Sequence, residues 1–298
     1  MDRRKFLKNS LQIGSAGLLS TLPYCQGSWT DPFETPANEA IMISTPGVMY
    51  RVNLSSGATT PISTIGSGAT AFLDNNNVLF VTSSLTPSFY QINLNDNSFS
   101  LLGTVTIPVG AGGDVGTVSL IGGNDVMLNG SYTGGAQGYL YRLNLTSMTG
   151  SVVLSLLAPI SGHAIENDQT LLAQLSSGNV YRFSLTDYSN TLLVNAGASK
   201  FNVALAPGRN LLLIAHGGGI ATQLKRVDLK TNTVLSDLGA LPNGAGAGIA
   251  LESNSSVLTG DTVSGGLYRV NLDNGATSRV DDGTLTGVVL RNIAVRFQ

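Results

Sequence analysis

Short runs of alternating apolar and polar residues recur along the chain from Ile41 onward. They are bounded by Asn, Asp, Ser and Gly, residues that tolerate the backbone angles of tight turns. Alternation at a period of two is typical of a strand with one buried face, and the runs are too short to indicate helices. The pattern therefore predicts an all-β protein built from many short strands joined by hairpins.

One five-residue strand pattern recurs six times, at intervals of about 40 to 50 residues. That interval is typical of a four-stranded propeller blade. Two short strands are predicted before most copies, and a turn with a further strand after them, so we letter the strands of each blade A to D. The copies are Tyr50–Leu54, Tyr90–Leu94, Tyr141–Leu145, Tyr181–Leu185, the divergent Lys225–Leu229 and Tyr268–Leu272. The sequence therefore predicts a six-bladed β-propeller over residues 39–298.

The first blade lacks a strand A of its own. Strands B, C and D are predicted at Ile41–Ser44, Val48–Leu54 and Thr59–Ser63, with nothing upstream that reads as a strand. The end of the chain, Asn292–Phe297, has the same apolar-Ala-apolar centre as the A strand at Phe201–Leu205. We therefore expect the C-terminal strand to complete the first blade and close the ring, which removes exposed sheet edges.

The repeated Tyr-Arg-Val-Asn-Leu pattern resembles the repeats of the YVTN, NHL and quinoprotein-like propeller superfamilies. The resemblance covers roughly residues 40 to 298 and implies the fold, with ligands bound on the face that carries the D-to-A and B-to-C connections. It implies no single function, because such propellers include lyases, lactonases, dehydrogenases and binding modules. We expect the repeated Tyr to pack between blades and the Arg after it to be partly exposed on the opposite strand face.

The first 25 residues are predicted to be an export signal. Arg3-Arg4-Lys5-Phe6-Leu7-Lys8 precedes a short apolar run and resembles the bacterial twin-arginine signal. The run is too short for a membrane span, so the expected location is the periplasm or the cell envelope. Cys25 is either a lipidated residue of a lipoprotein or an unmodified one, since the preceding Leu22-Pro23-Tyr24 departs from the lipoprotein pattern. Residues 26–38 are predicted to be a linker.

Composition narrows the range of partners. The net charge is -2 and only 11% of residues are charged, so no basic surface is available for nucleic acid. The single Cys excludes an internal disulfide framework. The expected partner is an extracytoplasmic protein, a glycan or a small molecule.

The candidate site lies at the mouth of the central channel. Alignment of the A strands predicts a ring formed by Thr70, Thr117, Gly162, Asn202, Gly248 and Asn292, flanked by Asp114, His163, Lys200 and Arg291. The B-to-C loops are expected to add Asn129, Tyr132, Gln174, His216 and Asp261 to the same face. Of this polar rim, the predicted ligand-binding residues are His163, His216, Asn202, Arg291, Asn292, Asp261, Asp114 and Lys200.

Two classes of function remain open from the sequence. The first is an exported binding module that uses this rim. The alternative is a metal-assisted, lactonase-like hydrolase or lyase, in which His163 and His216 bind a divalent metal and Asp114 or Asp261 serves as ligand or base. No cofactor is otherwise indicated, because the chain has no Gly-x-Ser-x-Gly elbow, phosphate loop or CxxC motif.

Overall fold

The computed structural model describes most of the chain after the predicted linker. The described residues are 38–45, 47–74, 76–84, 86–107, 111–122, 124–132, 137–197, 203–216, 223–239, 241, 248–261, 263 and 265–296. At 111–114, 131, 132, 216 and 291 the description covers the backbone. The predicted signal and linker, Cys25 included, lie outside the described residues.

Six antiparallel sheets of four strands form a six-bladed propeller, as predicted. The first three blades use consecutive strands of the chain, except that blade 1 takes its fourth strand from the end of the chain. Blade 1 contains β1 (Glu39–Thr45), β2 (Val48–Asn53) and β3 (Thr59–Thr64). Blade 2 contains β4 (Gly68–Phe72), β5 (Asn77–Thr82), β6 (Ser88–Asn93) and β7 (Phe99–Thr104). Blade 3 contains β8 (Ala111–Gly122), β9 (Asp125–Tyr132), β10 (Gly138–Asn144) and β11 (Thr149–Leu156).

The last three blades follow the same order, and the final strand returns to blade 1. Blade 4 contains β12 (Ile160–Asn167), β13 (Thr170–Leu175), β14 (Asn179–Ser184) and β15 (Asn190–Asn195). Blade 5 contains β16 (Val203–Ala206), β17 (Leu211–His216), β18 (Gln223–Asp228) and β19 (Thr233–Val234), with a short 3-10 helix at Pro207–Arg209. Blade 6 contains β20 (Ile249–Ser253), β21 (Ser256–Gly260), β22 (Leu267–Asn271) and β23 (Thr277–Arg279), and β24 spans Val289–Arg296.

Strand β24 closes the ring as the sequence predicts. It pairs antiparallel with β1, with Met42 opposite Ile293 and Ala40 opposite Val295. The junction is reinforced by charge, because the buried Glu39 carboxylate binds both Arg51 and Arg296. The first blade is thereby made from the two ends of the propeller domain.

The core lies between blades. In the described part of the chain, one cluster of buried apolar residues lies at each of the six blade boundaries. Tyr50, Tyr90, Tyr141 and Tyr181 each belong to the cluster that joins their blade to the preceding one. The expectation that the repeated Tyr packs between blades is confirmed for these four.

The last two positions of the repeat form the turns. The side-chain oxygen of the fourth residue accepts the backbone N–H two residues ahead, as Asn53 does from Ser55 at 3.0 Å. The same bond recurs at Asn93, Asn144, Ser184, Asp228 and Asn271. The Leu that follows donates its N–H to the A-to-B turn, as Leu94 does to the Asn76 carbonyl at 2.7 Å. One sequence pattern therefore fixes two turns in each of blades 2 to 6, and in blade 1 the Leu54 N–H bonds to the Asn38 carbonyl just before β1 at 3.0 Å.

Four residues beyond each fourth position, the C-to-D turn requires a left-handed residue. The residues there are Gly57, Asn97, Met148, Tyr188, Asn232 and Gly275. Gly and Asn adopt this conformation readily, whereas Met and Tyr adopt it at a cost. The choice of Gly or Asn at four of these six positions therefore follows from turn geometry.

Candidate functional site

The innermost strands surround a central channel that contains a cavity of about 350 Å³, which is largely open to solvent. Its wall includes residues from the last halves of four A strands, such as Phe72, Leu120, Ile165 and Val295. An A strand ends at the A-to-B turn, so this cavity extends toward the face that carries the A-to-B and C-to-D turns, which we call the AB/CD face. The opposite face, which carries the D-to-A and B-to-C connections, is called the DA/BC face.

His163 lies in the wall of the cavity, on β12, and its ring is turned toward blade 3. Its Nδ1 is 3.0 Å from Thr117 Oγ1 on β8 and 3.1 Å from Asn129 Oδ1 on β9. Asn129 Nδ2 donates to the Ile160 carbonyl at 3.0 Å, which orients the amide so that its oxygen faces the ring. This oxygen also accepts the Thr117 N–H at 2.8 Å and the Thr117 hydroxyl. The four residues form one network across the boundary between blades 3 and 4.

The network and the burial of the ring keep His163 neutral. Its side chain is almost fully buried, with 3% of the residue exposed. Burial lowers the pKa of His163 from 6.5 to about 4, although the nearby Met127 backbone carbonyl opposes the shift. Nδ1 faces the Asn129 oxygen, an acceptor, which favours a ring proton on that nitrogen. Within the described residues His163 Nε2 has no hydrogen-bond partner.

Part of the predicted ring is present at the boundary of blades 1, 2 and 6. Asn292 Oδ1 accepts the backbone N–H of Thr70 at 3.3 Å. Gly248 lies beside the same strand, since a Cβ there would approach Ile293 N to 3.1 Å. Both Thr70 and Asn292 are buried. Thr117 of the predicted ring contacts His163, and His163 is the residue that follows the predicted ring position Gly162.

Several residues expected on the polar rim are buried. Asn129, Gln174 and Asp261 are 1%, 0% and 2% exposed. Asn129 belongs to the His163 network, and Asp261 accepts the backbone N–H of Val263 at 2.7 Å. Asp261 therefore stabilises the loop that follows β21, whereas Asn129 joins blade 3 to blade 4.

The remaining predicted site residues are placed only in part. The backbones of Asp114, His216 and Arg291 lie in β8, β17 and β24, and their side chains lie outside what the structure describes. Residues 198–202, which include Lys200 and Asn202, lie outside the described residues. The side chain of Tyr132 also lies outside them. Among described residues no group of three His, Cys, Asp or Glu side chains has the arrangement of a metal site.

The AB/CD face carries a set of ion pairs that the sequence analysis missed. The Arg of the repeat binds an acid at the start of strand B or the end of strand A of its own blade. The pairs are Arg51 with Glu39, Arg142 with Asp125, Arg182 with Glu166, and Arg269 with Glu252. The Arg side chains are 32–41% exposed, which confirms the expectation of partial exposure. In the sequence, an acid lies 12 to 17 residues before each of these four Arg residues, and this spacing is the signal from which the ion pairs could have been predicted.

Two strongly exposed apolar residues lie on the DA/BC face. Among the described residues the two most exposed large apolar side chains are Leu157 at 90% and Val263 at 61%. Leu157 lies in the D-to-A connection from β11 to β12, and Val263 in the B-to-C loop between β21 and β22. Leu101 and Leu192 are the next most exposed and lie on the outermost strands β7 and β15. The DA/BC face therefore presents apolar contacts to solvent on two sides of the ring.

Comparison with known proteins supports the fold and leaves the function open. No protein-family model matches the chain, and no curated protein matches its sequence. A chain of a nidogen–laminin complex superposes with a TM-score of 0.69 at 11% identity, covering 86% of this chain and 97% of that one. TolB from Acinetobacter baumannii gives a TM-score of 0.64 at 13% identity, over 89% of this chain and 67% of TolB.

A third similar structure is a Bacteroides uniformis protein with a provisional 6-phosphogluconolactonase assignment. Its TM-score is 0.59 at 13% identity, and the match covers 88% of this chain and all of that one, 100%. Identities this low establish the propeller fold alone, since unrelated functions share it. Among the described residues no helix has the length and apolar character needed to cross a bilayer.

Proposed function

We propose that this chain is an exported propeller that binds another molecule through its DA/BC face. The observation that carries the proposal is the exposure of Leu157 and Val263 on that face. Burial of an exposed apolar side chain on binding is favourable, so each of these two residues offers a contact point to a partner on this face. The partner is an extracytoplasmic protein, a glycan or a small polar molecule.

Four of the described carboxylates are held away from the proposed binding face. Glu39, Asp125, Glu166 and Glu252 are each held by the Arg of a repeat on the AB/CD face. A general acid or base must reach a substrate proton within hydrogen-bond distance. Carboxylates held in ion pairs on the opposite face cannot do so at the DA/BC face, so they stabilise the fold.

The similar structures are consistent with a binding role. One of them is a chain of a nidogen–laminin complex, in which the propeller-like chain is part of a protein assembly. The likeness to this chain extends to the fold. The proposal of a protein partner therefore rests on the exposed face and receives only general support from the comparison.

Export is the second part of the proposal. The Arg3-Arg4 pair and the apolar run after it would direct the folded protein through the twin-arginine pathway to the periplasm or cell envelope. An Arg3→Lys, Arg4→Lys variant should accumulate in the cytoplasm, and a labelled fatty acid should mark Cys25 if the chain is a lipoprotein. Normal export of the variant would contradict the twin-arginine assignment.

The binding face is tested by site-specific photo-crosslinking in the envelope of the producing cell. A photoreactive residue is placed at Leu157 or Val263, and at Leu101 or Leu192 as matched controls of similar exposure on the outer strands. We expect discrete crosslinked products from the first pair only. Products from Leu101 and Leu192, or from none of the four positions, would contradict the proposed face.

The alternative, a metal-assisted hydrolase or lyase, has its own test. Elemental mass spectrometry of the exported protein is compared with that of a His163→Ala, His216→Ala variant. A stoichiometric metal that is lost from the variant would favour the enzyme and justify assays on lactones and esters. Equal metal content in the two proteins would remove the support for these ligands.

A further inference from the structure

The repeat Arg of blade 5, Arg226, lacks the acid partner that the same residue has in four other blades. In blades 1, 3, 4 and 6 the Nε of the repeat Arg is bound by a carboxylate of its own blade. In blade 5 the corresponding atom, Arg226 Nε, is buried and has no hydrogen-bond partner among the described residues. A buried donor of a charged group is costly when it is left without an acceptor, so this atom requires an explanation.

Two substitutions remove the acid from blade 5. In the other blades the acid lies near the end of strand A, as Glu252 does, or at the start of strand B, as Asp125 does. The strand register places Ala206 at the first of these positions in blade 5 and Leu211 at the second. Both residues are buried and apolar, so neither side chain offers an acceptor to Arg226.

Blade 2 shows the loss of both members of the pair. Its repeat has Gln91 in place of the Arg, and its two acid positions are occupied by Leu73 and Asn77. At these positions, all of which the structure describes, only blade 5 combines a repeat Arg with the absence of an acid. The cation of blade 5 is therefore half of an ion pair whose other half is missing from the chain.

The rest of the Arg226 guanidinium is held in place on the AB/CD face. Its Nη1 donates to the Leu272 carbonyl at 3.4 Å and its Nη2 to the Ser236 carbonyl at 3.1 Å. The pKa of Asp273 is lowered mainly by the hydrogen bond from Arg209, at 2.7 Å, and to a smaller extent by the charge of Arg226. Together Arg209, Arg226 and Asp273 carry one excess positive charge, so a further anion is favoured here.

We infer that the Nε side of Arg226 is a binding site for a small carboxylate of about the size of acetate. Beyond its Cβ, Glu252 has one methylene group and the carboxylate, which together correspond to acetate, and Ala206 lacks these atoms. A carboxylate bound there accepts the Nε–H in the charge-assisted bond that Arg269 forms with Glu252. The site lies on the AB/CD face, opposite the face proposed to bind a partner, and it does not depend on the proposed function.

The site is tested with acetate as the probe. Proton–nitrogen correlation spectra report the Nε–H groups of Arg side chains, and an Arg226→Lys variant assigns the Arg226 signal. Sodium acetate replaces sodium chloride at constant total concentration, so that ionic screening does not change. We expect a saturable downfield shift of the Arg226 Nε–H proton, with a dissociation constant of roughly millimolar order for so small a ligand. The Arg182 signal is the matched control and should not shift, because its Nε already donates to Glu166.

Three further comparisons establish the chemistry of the site. Acetamide, a neutral analogue of acetate, should bind about tenfold more weakly, because it forms no charge-assisted bond. An Ala206→Glu variant supplies the carboxylate from the chain, so it should shift the Arg226 signal without acetate and abolish the response to acetate. Because Ala206 is fully buried, a Leu211→Asp variant makes the same test from the second acid position.

The outcomes separate a carboxylate site from a general effect of salt. The inference is wrong if acetate causes no saturable shift at Arg226, if Arg182 shifts equally, or if acetamide binds as tightly as acetate. An undiminished response to acetate in the Leu211→Asp variant would also overturn it. A Leu157→Asp, Val263→Asp variant should bind acetate as the unmodified chain does. Loss of partner crosslinking with retained acetate binding would therefore concern the proposed function alone.

Discussion

Arg51 of blade 1 donates a hydrogen bond of 2.9 Å to the backbone carbonyl of Leu94 in blade 2. The bond joins the second residue of one repeat to the last residue of the next. Arg269 of blade 6 makes the equivalent bond to Leu54 of blade 1, at 3.3 Å, and so extends the pattern across the closure of the ring. Each Arg thus connects an acid of its own blade to the backbone of the following blade.

The repeat therefore joins neighbouring blades as well as forming a strand. Its Tyr packs toward the preceding blade and its Arg reaches the following one, because neighbouring residues of a strand point to opposite faces. Its last two residues close the turns. The divergent fifth copy retains the Arg, and Arg226 bonds to the Leu272 carbonyl at 3.4 Å.

Removal of one of these Arg side chains should destabilise the propeller. In Arg269→Met the Glu252 carboxylate, whose side chain is 1% exposed, would lose its ion-pair partner and keep only the hydrogen bond from the Ser256 hydroxyl. We expect a loss of about 3 kcal/mol in the free energy of unfolding by urea denaturation. The matched control is Arg209→Met, which breaks the exposed pair with Asp273 and should cost less than about 1 kcal/mol. Equal effects of the two changes would contradict a structural role specific to the repeat Arg.

The same pair permits a rescue experiment. The double variant Arg269→Met, Glu252→Met removes both charges and leaves apolar side chains of similar length. Replacement of a buried ion pair by apolar residues is often nearly neutral. We expect it to recover most of the stability lost in Arg269→Met, and a double variant less stable than the single one would refute the explanation by unpaired charge.

Two threonines near the channel should respond differently to the loss of their hydroxyl groups. Thr117 Oγ1 contacts both Asn129 and His163, whereas Thr70 Oγ1 has no partner among the described residues. Thr117→Val should lower the free energy of unfolding by about 1 kcal/mol, while Thr70→Val should be neutral or stabilising. Urea denaturation without added ligand measures both. A larger loss in Thr70→Val would show that its hydroxyl is bound in the unliganded protein.

Closure by β24 should be essential for the fold. Deletion of residues 291–298 removes most of the strand that pairs with β1 and the Arg296 that binds Glu39. We expect a large decrease in melting temperature, with cooperative unfolding of the truncated chain near room temperature. A peptide of residues 289–298 should restore part of the loss when added in excess. An unchanged melting temperature would show that the ring does not depend on this strand.

The architecture was predictable because it repeats. Each blade presents the same short pattern, so strands, turns and closure could be located without any knowledge of distant contacts. The cross-blade bond between Arg51 and Leu94 could not be predicted, because it depends on the angle between two blades. The period of the repeat does not specify that angle. The ring contact of Thr70 with Asn292 follows from A-strand alignment alone.

The side-chain details of the site were less accessible to sequence reasoning. Asn129, Gln174 and Asp261 were expected on a polar rim because they end strand B, yet the structure buries them. At a strand end the choice between solvent and a neighbouring blade depends on sheet twist, which the pattern of residues does not give. His163 was identified as a candidate, but its position facing blade 3 follows from the offset between β8 and β12.

The lowered pKa of His163 predicts a loss of stability in mild acid. In the folded chain the ring stays neutral until the pH approaches about 4, whereas in the unfolded chain it gains a proton near pH 6.5. Between these values the unfolded state binds more protons, so the free energy of unfolding decreases as the pH falls from 6.5 to 4. The full effect is about 3 kcal/mol, since one pKa unit corresponds to about 1.36 kcal/mol. A His163→Gln variant should lose this dependence in urea denaturation between pH 6.5 and 4. Both proteins should lose stability below that range, where carboxylates with lowered pKa values, such as Asp125 beside Arg142, become protonated. An identical pH dependence of the two proteins above pH 4 would show that His163 is not the group responsible.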